Sequence, residues 1–190
     1  MNRPGAICVY SSSSNAVPKI FFDAAEELGE LLAQRKIVLV YGGANVGLMG
    51  ALARSVHRHG GRVIGVIPRF MREREIAYEA ADELIATETM RERKEEMEKR
   101  ADAFIALPGG FGTLEEILEV LTLRQLGRHS KPIAFLDTAN FYRPLVAMFE
   151  HLYENKFAKP DYRRFYHIAE TPADALEYFT NHNAEPPVSK

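Results

Sequence analysis

The chain has 190 residues, of which 46% are hydrophobic and 26% charged, with a formal net charge of −2 and a pI near 6.3. That is the size of one domain with a full apolar core, and the charge gives no ground for general nucleic-acid binding, so an anionic ligand has to be held by a local site. Cys8 as the one cysteine excludes a disulfide framework and a thiolate zinc cluster. The first residues carry too short an apolar run for a signal peptide, and no stretch approaches the roughly 20 apolar residues that span a bilayer, so a cytoplasmic protein without a membrane partner is expected.

Short apolar runs alternate with amphipathic stretches. In chain order the pattern predicts a strand at 6–10, a helix at 18–35, a strand at 37–41 and a helix at 47–59. Strands follow at 63–67 and 83–87, a helix at 90–101, a strand at 103–107 and a helix at 113–126. The last elements are a strand at 132–136, a helix at 142–154, a weaker strand at 166–169 and a helix at 172–181. Strands that are apolar throughout and separated by helices indicate a parallel sheet covered on both faces. The expected fold class is therefore α/β: a doubly wound, Rossmann-like parallel sheet in a single domain over 1–181, with a loose tail at 182–190.

In such a fold ligands bind at the carboxyl ends of the strands. Three of the loops there are rich in Gly or Ser: Ser11-Ser12-Ser13-Ser14, the run Gly42-Gly43-Ala44-Asn45-Val46-Gly47, and Pro108-Gly109-Gly110-Phe111-Gly112-Thr113. The third, within LPGGFGTLEE, joins a strand to a helix. Glycines let backbone approach a ligand closely and free N–H groups at a helix start attract an anion, so a phosphate fits; a tight turn that needs glycine for its own geometry is the structural alternative. Glu116 is ambiguous. Thr113 to Glu116 spells a capping box, in which the carboxylate would bond back to the N-cap N–H. If Glu116 is catalytic instead, a helix N-terminus favours its anion, which would orient water or stabilise positive charge.

The segment from Gly42 to Gly50 lacks the Gly-x-Gly-x-x-Gly spacing of a dinucleotide site and the Lys-Ser/Thr of a P-loop. It reads as a second wall of the same crevice, Gly43 included, with helix–strand packing as the competing reason for each glycine. The charged run RERKEEMEKR at 91–100 resembles a solvated helix. At about 100° per residue, however, Met90, Met97 and Ala101 share one stripe, and Arg93 and Lys94 flank it. An inward guanidinium needs an anion, either a ligand phosphate or a carboxylate such as Glu116. His57 and His59 diverge on a helix and read as solvated surface, Cys8 as buried packing, and Tyr10 as either a core aromatic or a wall of a base pocket.

YGGANVGLMG, GVIP, MRERK and PGGFGTLEE together resemble the LONELY GUY family of cytokinin riboside 5′-monophosphate phosphoribohydrolases, long labelled possible lysine decarboxylases. The resemblance runs from about Ile7 to Leu176. It implies hydrolysis of nucleoside monophosphates to free base and ribose 5-phosphate, and a homodimer with the active site close to the interface. By motif it implies Arg93 and Glu116 as catalytic residues, Gly109, Gly110, Gly112 and Thr113 as the phosphate loop, and further substrate contacts at Lys94, Glu75 and Thr122. Two positions depart from the family pattern: four serines stand where many relatives carry Cys-Gly-Ser, and Leu123 where Trp is frequent. The decarboxylase label finds no Schiff-base constellation. Hydrolysis through an oxocarbenium-like state needs no cofactor and no metal. A non-catalytic nucleotide-binding or sensor module using the same crevice is the competing reading.

Overall fold

The computed structural model describes residues 4–72 and 76–182. Strands β1 (Ala6–Tyr10), β2 (Val38–Tyr41), β3 (Val63–Pro68), β4 (Glu83–Thr87), β5 (Ala103–Ala106), β6 (Ile133–Leu136) and β7 (Tyr166–Ala169) form one sheet in the order β4-β3-β2-β1-β5-β6-β7. Every neighbouring pair is parallel. The helices are α1 (Lys19–Gln34), α2 (Gly47–Arg58), α3 (Arg69–Arg72), α4 (Met90–Arg100), α5 (Phe111–Gln125), α6 (Arg143–Glu154) and α7 (Pro172–Asn181). The doubly wound α/β architecture expected from the apolar runs is the one observed; the four-residue α3 has too little sequence to show a helical period.

Alternation along the strands divides the core in two. Ile7, Val9, Leu39 and Ile105 pack with α1, α2 and α7 on one face, while Cys8, Tyr10, Val40 and Phe104 pack with α4, α5 and α6 on the other. From β1 the chain winds outward to β4, then returns to place β5 on the other side of β1. The winding direction thus reverses between β1 and β5. There the loops after the two strands diverge and leave a crevice at the carboxyl edge of the sheet.

Several expectations need correction. Helix α5 starts at Phe111 with Gly110 as its N-cap, and no side chain caps it. Thr113 is already helical and buried beneath Gly109, where it cannot act as a cap, and Glu116 lies in the second turn. The capping box is therefore absent at Thr113–Glu116. A side-chain cap forms at α4 instead, where Thr89 accepts from Glu92 N at 3.1 Å and Glu92 Oε2 accepts at 2.9 Å from Glu88 N, one residue before the N-cap. Met90 is 41% exposed, because it occupies the first turn of α4 and overhangs the sheet edge instead of facing the core. His57 is no solvated surface residue: its ring nitrogens lie 2.9 Å from the Tyr78 hydroxyl and 2.9 Å from Asp82 Oδ2, pinning the segment before β4 to the end of α2. Tyr10 is a core aromatic, 2% exposed and stacked on Phe104. Cys8 is buried beside it, and burial pushes its thiol far up, so packing is its role. Of the expected tail at 182–190, all but His182 lies outside the described residues.

Candidate active site

Helices α4 and α5 lie side by side on one face of the sheet, and each contributes one buried charge at the carboxyl edge. Arg93, 6% exposed, donates from Nη1 to Glu116 Oε1 at 2.6 Å and from Nε to the Val66 carbonyl at 3.1 Å. Glu116 is 8% exposed. The helical stripe read from the sequence thus turns Arg93 inward and gives it the carboxylate partner its desolvated charge requires. Burial pushes the Glu116 carboxyl above its ordinary range, and the Arg93 guanidinium pulls against that rise. An unpaired carboxyl in this position would be protonated more readily; the ion pair favours its anion.

Room for the guanidinium comes from the first glycine run. A Cβ at Gly42 would collide with Arg93 Nη2, so the strand β2 turn and the α4 cation fit together only because residue 42 has no side chain. Gly43, at φ +76°, sits 3.0 Å from Ile67 by the same construction and is buried. Its left-handed backbone and this close packing both call for glycine. Gly47, at φ +57°, lies against the backbone of Ser12, Ser13 and Ser14, and its neighbour Leu48 N donates to the Ser12 carbonyl at 2.9 Å. The glycines of this run are matched by other atoms of the chain.

The second glycine loop differs. Gly109 has no space for a Cβ because Thr113 packs against it, but among the described residues nothing lies within 4 Å of a Cβ built at Gly110 or Gly112. Gly110 has φ −86°, which any residue adopts. The turn itself therefore does not require glycine at 110 and 112. These two residues leave bare backbone at an uncapped helix start, which is the arrangement that admits an anion. Beside the loop lies a cleft of about 260 Å³ walled by Val17, Phe21, Leu48 and Phe141, with Gly109 and Gly110 on its rim. Neither the cleft nor its aromatic walls is foreseen by sequence patterns, because its residues come from four separate segments.

Of the remaining expected contacts, Lys94 is ion-paired to Glu115 and, at 2.5 Å, to Glu119. It crosses from α4 to α5 on the outer side of the Arg93–Glu116 pair. Thr122 donates to the Leu118 carbonyl at 2.7 Å on the exposed face of α5. It lies six residues beyond Glu116, about 9 Å along the helix, and this chain alone does not bring it to the pair. Glu75 lies outside the described residues. No group of three or more metal-ligating side chains occurs among the described residues, and no helix there is long and apolar enough to cross a membrane.

Residues 49–179 match the family described as possible lysine decarboxylase. A probable cytokinin riboside 5′-monophosphate phosphoribohydrolase, LOGL2 of Oryza sativa subsp. japonica, is 47% identical over 171 residues, 90% of this chain and 70% of the relative. The Arabidopsis thaliana cytokinin riboside 5′-monophosphate phosphoribohydrolase LOG5 is 42% identical over 183 residues, covering 96% and 79%. The solved structure of the molybdenum cofactor binding protein from Rippkaea orientalis has the same fold, with a TM-score of 0.70 and 26% identity over 95% of this chain and 97% of that one. With an Arg–Glu pair and an open glycine loop at the switch point of the sheet, and relatives of this identity over nearly its whole length, the chain is an enzyme of the LONELY GUY phosphoribohydrolase family.

Proposed function

We propose that this enzyme hydrolyses the N-glycosidic bond of purine nucleoside 5′-monophosphates, adenylates or N6-substituted adenylates, giving free base and ribose 5-phosphate. The observation that carries the reading is the spacing of two features on one helix. Bare, uncapped backbone lies at Gly110–Gly112, and a buried carboxylate ion-paired to Arg93 lies one turn further on. A 5′-phosphate seated on the loop puts C1′ of the sugar within reach of the second turn. There the Glu116 anion stabilises positive charge as the C1′–N bond breaks and directs a water to C1′. The water oxygen bonds C1′, the bond electrons go to the base nitrogen, and the proton released by water goes to the departing base. Arg93 keeps Glu116 ionised and aimed. Its Nε bond to Val66 fixes the guanidinium, so the pair is preorganised before substrate arrives. The apolar cleft beside Gly109 offers a surface for an uncharged part of the ligand.

The homodimer has support in α5. Phe111 is 93% exposed, and Leu114, Leu118 and Leu121, further along the same stripe, pack against the core but are only partly buried by the described residues. Thr122 sits in that stripe, so its part in substrate binding rests on the dimer. A cytoplasmic location completes the reading.

Incubation of purified protein with AMP, followed by chromatography for adenine, tests the activity. Release of adenine and ribose 5-phosphate is expected. A second reading, a binding or sensor module, is favoured by the shared fold of a molybdenum cofactor binding protein. Tight AMP binding with no base released from any purine monophosphate would decide for it.

A further inference from the structure

The phosphate loop begins where the sheet stops holding the chain. The β5–β6 register ends at Ala106 opposite Phe135, and the next carbonyl, that of Leu107, accepts instead from the hydroxyl of Tyr142 at 2.7 Å. On the other side Leu107 N donates to the Tyr10 carbonyl at 2.9 Å. Tyr142 is 1% exposed, with its ring edge-on to Phe135 and Phe141 at 5.1 Å each. Burial pushes its phenol up, so it stays a neutral donor.

The connection that delivers Tyr142 is costly. Ala139 and Asn140 both have left-handed backbone, at φ +54° and +60°, in a turn that joins β6 to α6. Consecutive non-glycine residues in that region persist only where surrounding contacts over-determine them. Here Asp137 Oδ1 accepts from Tyr142 N at 2.6 Å, and Asp137 N donates to the Ala169 carbonyl at 2.8 Å. The strained turn is thereby locked with Tyr142 swung back over the carboxyl edge of the sheet. An ordinary β–α connection needs neither the strain nor the return.

We infer that Tyr142 is a positioning residue: its hydroxyl fixes the Leu107 carbonyl and so sets the angle at which Gly109–Thr113 present their backbone to the 5′-phosphate. This rests on the reading of that loop as the phosphate site. Tyr142→Phe keeps both ring contacts and removes only the tether. Thermal melts with increasing ribose 5-phosphate measure loop binding independently of turnover. The wild type is expected to be stabilised, and Tyr142→Phe to need about tenfold more ligand for the same shift, the size of one neutral hydrogen bond's worth of preorganisation. With AMP, KM should rise by a similar factor while kcat changes little, and kcat/KM for adenosine, which lacks the phosphate, should be unchanged. Asp137→Ala, which frees the turn without touching the ring, should act in the same direction and decides the matter if Tyr142→Phe is poorly folded. Variants that melt lower yet bind ribose 5-phosphate as the wild type does would reduce Tyr142 to a packing residue and overturn the inference. A wild type that binds neither ribose 5-phosphate nor inorganic phosphate would instead overturn the phosphate reading itself, and the role of Tyr142 with it.

Discussion

The two glycine-rich loops are alike in composition and opposite in cause. In the run from Gly42 to Gly50, each missing side chain is matched by an atom of the protein: Arg93 at Gly42, Ile67 at Gly43, the Ser12–Ser14 backbone at Gly47 and the Asn45 backbone at Gly50. In the loop after β5, none of the described residues comes within 4 Å of a Cβ built at Gly110 or Gly112. Glycine thus serves internal fit in one place and leaves bare backbone in the other. A similar contrast holds for two Thr-x-x-Glu segments. At Thr89–Glu92 the pattern is a cap, whereas at Thr113–Glu116 the helix has already begun, and the glutamate is released from capping to meet Arg93.

The sharpest test of that contrast is Glu116→Gln. Gln can still accept the Arg93 hydrogen bond but removes the charge that the buried guanidinium requires, so Tm should fall with the fold retained, while kcat per folded molecule falls on the order of 10²-fold or more, as read from initial rates on AMP alongside a thermal melt. Near-normal turnover would return Glu116 to a structural role.

Next in size is the pair Gly112→Val and Gly42→Ala. The first adds a side chain in open space, so Tm should hold while kcat/KM for AMP falls at least about tenfold and that for adenosine does not. The second forces the guanidinium away from Glu116. It should lower kcat by about tenfold or more, because small misplacements of a positioned group are expensive, and it should leave ribose 5-phosphate binding near normal. If the two variants showed interchangeable defects, the division of labour between the loops would fail.

Gly47→Ala should act on the fold alone. Its left-handed backbone and the contact with Ser13 predict a loss of about 1–3 kcal/mol in denaturant melts, with activity per folded molecule retained.

The smallest effect concerns pH. Burial raises the Glu116 carboxyl and Arg93 opposes the rise. The acid limb of kcat/KM should therefore lie above the ordinary glutamate value of about 4.3, activity being lost as pH falls through it. In Gly42→Ala, where Arg93 is displaced, burial acts with less opposition and the limb should move further up. A limb that stays in place would mean that Arg93 does not govern the ionisation of Glu116.

The strands, the order of helices and the doubly wound class follow from the sequence alone, since the apolar period of each element is a local property. Arg93 was legible for the same reason: helical spacing places it beside Met97 whatever the neighbouring elements are. Local pattern failed where the outcome depends on what arrives from elsewhere. Thr113–Glu116 has the letters of a cap, but α5 already begins at Phe111, and Thr113 packs inward against Gly109. His57 looked like surface until the segment holding Tyr78 and Asp82 folded over it. Nothing around residue 142 hints that its hydroxyl closes on Leu107, 35 residues earlier, because that bond exists only once β5 and β6 are paired. Which side chains face inward is decided by the geometry of single elements. Which of them meet, and which glycines are left bare, is decided only when the sheet brings distant segments to one edge.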